Sequence, residues 1–452
     1  MSISTILALV CAGFCVTLGA ASALGEHSLA SSIASLLLFY LLVLLLIGAK
    51  PNFAISIPIV FGFAWLAASV LYLEIGTLAP EIQQETNANG STSRLVALLA
   101  VFLLSVFSTL PSRQRAPSAR FQRLEKSIFV FYCLLIITWT INGLVFGFPL
   151  FSSQQRFFYW VDHPLSSILP KTLALAGYFF LFVGWRLGIQ RLQNLSFVYS
   201  TRAWTYVLTL TIIFGILYSN KASFFMVITL HLISGYLLAI SSICGKANIA
   251  KFLPIGRTAL AFGLILGLVA LSYRFIHNYP TSELAQQIFR RLLAMQGQLW
   301  WAVDNVGSTT TGNVTDMIVK KSESEPHGIF IMMKEVMPLE AFEFYFKNGV
   351  PLTGGFPASL VFYFSFYVSI ILSSLLGGLI GLIYRGTILA MAQGRHDFFV
   401  WMIIFASCSW ITSLGSLNIL TSKVFIGCIV GLFAWRIVAL CRFQWKLTSQ
   451  QT

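Results

Sequence analysis

Charge is what this sequence has least of. Of its 452 residues only 10% are Asp, Glu, Lys or Arg and 57% are apolar, whereas a soluble domain carries about 25% charged residues. That balance excludes a soluble globular protein and places the chain among polytopic membrane proteins. Acidic residues are the scarcer sign, 15 against 29 Lys and Arg, for a formal net charge of +14. The basic excess forms no face for nucleic acid, because it sits in short segments between apolar runs, the positive-inside pattern. Cysteine is missing from the long polar interval near 274–356. Cys11, Cys15, Cys133, Cys244, Cys408, Cys428 and Cys441 all lie in apolar runs or at their basic ends, so neither a disulfide framework nor a cysteine metal site is expected. No Walker loop, HExxH, GxSxG, DxD-like pair or CxxC occurs, which leaves soluble nucleotide-dependent chemistry and a dedicated metal site without support. There is no short internal repeat, and no pair of matching broken helices of the inverted-repeat transporter kind. The first apolar run starts at Met1 without a basic n-region and has further runs behind it, which reads as a retained helix.

What the chain has is membrane-length apolar runs. At about 20 residues per span, twelve are expected: 3–24, 29–49, 52–75, 95–110, 127–147, 170–187, 203–219, 222–243, 258–276, 357–384, 398–415 and 420–440. Lys and Arg gather in loop 111–126, near 186–202 (Arg186, Arg191, Arg202), near 245–257, in 385–397 and in the tail. These segments alternate correctly for twelve spans and put both termini in the cytoplasm. The expected fold is an all-α polytopic membrane protein. Residues 1–272 carry helices 1–9, 273–356 form one large extracytoplasmic loop, and 357–452 carry helices 10–12 and the tail. The loop is balanced, with seven Lys or Arg against eight Asp or Glu.

The loop opens with a helical pattern. Ser282 suits an N-cap and Glu283 the positive end of a helix. Leu284, Ile288, Leu292, Met295, Leu299 and Val303 then recur at three and four. Glu283, Gln287, Arg290, Arg291 and Gln298 gather beside and opposite that stripe, so an amphipathic helix is expected to rest on the membrane with arginines and glutamines on its other face. Two readings stay open: a solvated face near headgroups, or Arg290 and Arg291 as bidentate phosphate ligands. Trp300 and Trp301 read as interfacial anchors or as sugar platforms. Gly354 and Gly355 before Phe356 and Pro357 suit either close backbone approach to a ligand or a loop-to-helix transition.

Other loops on the same side add candidates. Loop 148–169 holds Arg156, Tyr159, Trp160, Asp162 and His163 among phenylalanines, which suits carbohydrate stacking or an interface belt. Lys221 sits in the turn 219–222 on the side poor in Lys and Arg, either snorkelling or aimed at an anionic headgroup. His231 falls mid-span and reads as neutral and hydrogen-bonded to a neighbouring helix, with a functional role as the alternative. Glu74 reads as interfacial. His327 with Glu323 and Glu325 reads as a solvated acidic run.

Four stretches together resemble the Wzy-type O-antigen polymerases, a bacterial family related to the O-antigen ligases. They are Gly147–Phe148–Pro149–Leu150–Phe151 leading to Arg156, Asn220–Lys221–Ala222–Ser223, Arg290–Arg291 to Trp300–Trp301, and Leu352–Thr353–Gly354–Gly355–Phe356–Pro357–Ala358. The family's Arg-x15-Gly spacing is met by Arg291 and Gly307, while its Arg-x10-Gly spacing fails, because Ser167 stands where glycine would follow Arg156. The resemblance implies a GT-C-like inner-membrane enzyme that polymerises undecaprenyl-diphosphate-linked oligosaccharides at the periplasmic face. It implies no metal and no cofactor, and as partners the lipid-linked glycans, the bilayer and a chain-length-regulating membrane protein. By that reading Arg290, Arg291 and Lys221 stabilise the departing diphosphate, and Arg156, Tyr159, Gln287, Gln298, His327 and Glu335 bind substrate, with His327 and Glu335 as candidate bases. A ligase, a transporter or flippase of lipid-linked sugars, and a binding scaffold are the alternatives. A transporter would line mid-membrane helices with charge, and these spans have almost none.

Overall fold

The computed structural model of the chain describes residues 2–112, 121–151, 168–193, 197–218, 222–244, 293–306, 325–326, 328–352, 355–414 and 425–432, with Gly263 and Gly267. In chain order its helices are α1 (Ile3–Ala23), α2 (Leu29–Ala49), α3 (Ile57–Glu74), α4 (Ser91–Thr109), α5 (Phe121–Phe146), α6 (Ile168–Gln193), α7 (Thr201–Leu217) and α8 (Ala222–Cys244). They continue with α9 (Gln298–Val306), α10 (Ile329–Val336), α11 (Leu339–Lys347), α12 (Gly355–Tyr363), α13 (Phe366–Ala392) and α14 (Phe398–Leu414). A 3-10 turn, Pro51–Ser56, leads into α3, and a two-stranded hairpin, β1 (Leu78–Ala79) with β2 (Gln84–Glu85), separates α3 from α4.

Among the described residues eight helices are long and apolar enough to cross a membrane, α1 to α6, α8 and α13. Their outward positions are large and apolar, as at Phe14, Leu37, Leu44, Leu144 and Leu375, which in water would be a severe exposed patch and in lipid is solvation. Inside, small and hydroxyl side chains let backbones close in. A Cβ on Gly184 would collide with the Leu232 carbonyl, and one on Gly235 with the Leu181 carbonyl. α6 and α8 therefore run parallel at backbone contact along Gly184 and Gly188, with Gly177 against the Val227 side chain. α13 meets α4 the same way, Gly377 against Phe102 and Gly381 against Val106, with Ser373 Oγ donating to the Leu98 carbonyl at 2.9 Å.

Polar contacts define the two ends of the bundle. At one end, Lys50 Nζ donates to the carbonyls of Phe107 (2.6 Å), Ser108 (3.4 Å) and Leu110 (3.0 Å), capping the negative end of α4; burial pulls its pKa below the usual lysine value. Ser234 and Ser241 of α8 donate to Ala54 and Pro51 carbonyls at 2.7 and 3.2 Å. This end also holds a fully buried ion pair, Arg186 Nε to Glu125 Oε1 at 2.6 Å. Glu125 accepts further from Val198 N (3.0 Å) and Trp204 Nε1 (3.3 Å), and the Arg186 guanidinium lies 4.5 Å from the Phe197 ring. Arg186, expected as a loop charge, is thus an interior residue of α6: the segment after the helix folds back and its Tyr199 carbonyl accepts from the guanidinium.

Two further expectations need correction. The span expected at 357–384 is two helices, because the chain leaves helical geometry after Tyr363 and restarts with Ser365 at the N-cap of α13 (φ −61°, ψ 157°). The helix expected to run through Val303 from Ser282 is interrupted by a turn at 295–297, and α9 starts afresh at Gln298.

Candidate functional site

At the other end of the bundle the last turn of α3, the hairpin, the first turn of α4, α9 and α11 converge. The convergence starts from Ser69. Its hydroxyl donates to the Leu293 carbonyl at 2.7 Å and accepts from Gly297 N at 2.8 Å. A side chain on Gly297 would meet Val70 N at 2.7 Å, so only glycine lets the turn 293–297 lie on the α3 backbone. That anchor fixes where α9 begins.

From there Gln298 is fully buried. Its Oε1 accepts from Glu81 N at 3.1 Å and its Nε2 donates to Glu81 Oε2, while Glu81 Oε1 accepts from the Tyr345 hydroxyl at 2.7 Å. Three separate segments are so tied through one carboxylate. A second clamp is Arg94 on Asp304. Nε donates to Oδ1 and Oδ2 at 2.9 and 3.0 Å, and one terminal nitrogen donates to Oδ2 at 2.7 Å and to the Asn89 carbonyl at 3.0 Å. The other donates to Ser22 O and Oγ at 3.1 and 3.0 Å. All five guanidinium N–H groups are used, and Asp304 also accepts from the Ser91 hydroxyl. Gly90 (φ +77°) makes the turn into α4, where a Cβ would strike Ser22. Trp300 and Trp301 are buried, with Nε1 donating to Ser91 O at 3.1 Å and Asn87 O at 3.4 Å. They are neither interface anchors nor sugar platforms: the restart of the helix at Gln298 turns the whole of 298–303 inward.

Glu74 ends α3 beside this cluster. It is 2% exposed, and neither carboxylate oxygen has a hydrogen-bond partner among the described residues. The Leu73 carbonyl before it accepts from Thr86 Oγ1 at 2.5 Å and from Gly76 N at 3.0 Å. Glu74, expected as interfacial, stands at the end of α3 with its carboxylate buried in protein.

Of the residues singled out from the sequence, Arg290, Arg291, Lys221, Arg156, Tyr159, Gln287 and His327 lie outside the described residues. Gln298 is inside the cluster and Glu335 is exposed on α10. Phe356 fills the core between α3 and α4, with ring centroids 5.8 Å from Phe63 and 5.3 Å from Phe102. The Gly355–Phe356–Pro357 stretch is therefore a packing wedge as well as a transition. His231 bonds its own helix, Nδ1–H to the Val227 carbonyl at 2.7 Å, and not a neighbouring one; its Nε2 is buried without a partner, against the rings of Tyr178 and Phe405. Arg94, Asp304, Glu81 and Tyr345 were not singled out for chemistry. Their partners stand more than two hundred residues away in the chain, and a single sequence carries no signal for such pairs.

Chemically the cluster is a rigid polar floor. Its one described arginine is saturated, two of its acids are committed, and one acid is not. Among the described residues no three His, Cys, Asp or Glu side chains gather as a metal site would need. No curated protein and no solved structure matches the chain. Residues 322–441, which take in α10 to α14 and with them Tyr345 and Phe356, match a family of unknown function, DUF6418.

Proposed function

We propose that the chain is a Wzy-type polymerase of the bacterial inner membrane, with twelve spans and cytoplasmic termini. It transfers a growing glycan from its undecaprenyl diphosphate to the outer end of the next lipid-linked repeat unit. By the positive-inside rule the end carrying Lys50, Arg186 and Arg395 is cytoplasmic, and the Glu81–Arg94–Asp304 end faces the periplasm. The observation that carries the reading is the convergence there of polar segments from α3, α4, α9 and α11. They meet directly beside the turn that follows Arg290 and Arg291 in the sequence. Such a floor supplies what transfer from a lipid diphosphate needs from a scaffold: a fixed polar surface, so that stabilising charge costs little reorganisation. Arg290, Arg291 and Lys221 act on the diphosphate. Arg156, Tyr159, Gln287 and His327 contact the glycan. Gln298 serves from inside, by holding Glu81.

The test is genetic and chemical together. A deletion strain yields lipopolysaccharide with a single repeat unit on the core, and alanine at Arg290, Arg291 or Lys221 reproduces that pattern with normal protein levels. Normal chain-length ladders from all three variants defeat the assignment, and bare core with accumulated lipid-linked polymer indicates a ligase instead.

A further inference from the structure

The carboxylates of the described chain fall into three groups. Those exposed to solvent include Glu26, Glu85, Glu335, Glu340 and Glu343. Those held by partners are Glu81, Asp304, Glu125 and Asp397. Glu74 belongs to neither, being buried with both oxygens unpartnered.

Its position gives that property meaning. Glu74 is the last residue of α3, at the end of the bundle where the helix carbonyls point and where a negative charge finds no help from the helix. A buried polar group without a partner is costly, and a catalytic role is one reason for a fold to keep it. One turn earlier on the same helix face stands Val70, whose backbone nitrogen lies against Gly297. Ser69 beside it holds Leu293 and Ala294 at 2.7 and 3.3 Å. The free carboxylate thus stands one helical turn from the anchor of the segment that Arg290 and Arg291 lead into.

We propose that Glu74 is the general base of the transfer reaction, a role that rests on the polymerase reading above. The acceptor sugar's O–H bond breaks and its proton passes to a Glu74 oxygen. The oxygen's electron pair forms the new bond to the anomeric carbon. The bond from that carbon to the diphosphate breaks, and its electron pair leaves on the diphosphate, which the cations stabilise. Glu74 returns its proton to water as product departs. Its two free oxygens leave a lone pair for an incoming hydroxyl.

The experiment uses the full chain in vesicles with a lipid-linked oligosaccharide as donor and acceptor. Glu74→Gln keeps the shape and removes the base. Polymer formation is expected to fall by about 100-fold or more, with donor retention and thermal stability unchanged. Glu74→Asp keeps a carboxylate and is expected to retain a measurable part of the rate, so it decides the matter if the glutamine variant fails to accumulate. A glutamine variant within about threefold of wild type overturns the proposal, because general-base removal costs far more. So does loss of donor retention along with polymer, which marks a structural role, and so does a fully inactive, normally expressed aspartate variant. In each of these cases wild-type polymer formation leaves the polymerase reading standing; wild-type protein that forms no polymer sinks that reading, and the base with it.

Discussion

Replacing Arg94 by alanine should loosen the whole polar floor, and the size of the effect follows from its contacts. The ion pair with Asp304 is nearly dry, with side-chain exposures of 14% and 3%. Removing the guanidinium strands a buried carboxylate whose remaining donor is the Ser91 hydroxyl, and also the Asn89 carbonyl and the Ser22 groups that Arg94 joined. Breaking one side of a buried pair costs about 3–5 kcal/mol. Arg94→Lys keeps the charge but has three donors where five are used, so about 1–3 kcal/mol is expected. Removing both charges, as in R94A/D304A, should cost clearly less than the two single changes added, with a coupling of about 0.5–3 kcal/mol for groups in one network. Steric-trap unfolding in bicelles measures all four terms on one scale. A cost below about 1 kcal/mol for R94A, the worth of an exposed pair, would refute the view that this clamp holds α9 to α4.

Further outcomes follow from other contacts. Arg186→Met should cost about 3–5 kcal/mol by leaving Glu125 buried without its cation at the opposite end, read by the same unfolding measurement. Gly235→Ala pushes a Cβ into the Leu181 carbonyl and should cost about 1–3 kcal/mol. Gly62→Ala meets nothing within 4 Å inside a helix and should be neutral or stabilising by about 0.5–1 kcal/mol, visible as a paired comparison of thermal aggregation in detergent. Phe356→Ala empties the space between Phe63 and Phe102 and should cost about 3–5 kcal/mol, with reduced membrane accumulation as the first sign.

The membrane-spanning character was legible because hydropathy over twenty residues is a local property. Helices stand where spans were expected at, for example, 29–49 and 222–243, within a residue or two. The α3 C-terminus was legible as an end, and its chemistry was not. Whether Glu74 meets water or protein depends on the hairpin fold and on a turn more than two hundred residues later. Periodicity misled at Gln298, since the apolar stripe through Leu299 and Val303 continues across a turn that only Gly297 hints at. Arg186 was misread for a related reason: a basic residue near a span end reads as a loop charge until Glu125 on another helix claims it. The charge rule counts residues and cannot see pairs.

The backbone contact between α6 and α8 limits how this protein can move. With the Gly184 and Gly235 positions pressed on the opposing carbonyls, no side chain separates the backbones at those points, and small sliding of one helix past the other meets rigid peptide groups there. The two helices must travel as a single plank. A machine that exposes its cargo alternately to each side would have to hinge elsewhere, on either flank of the plank. The polymerase proposed above would need no such stroke, because both of its sugars stay on one side.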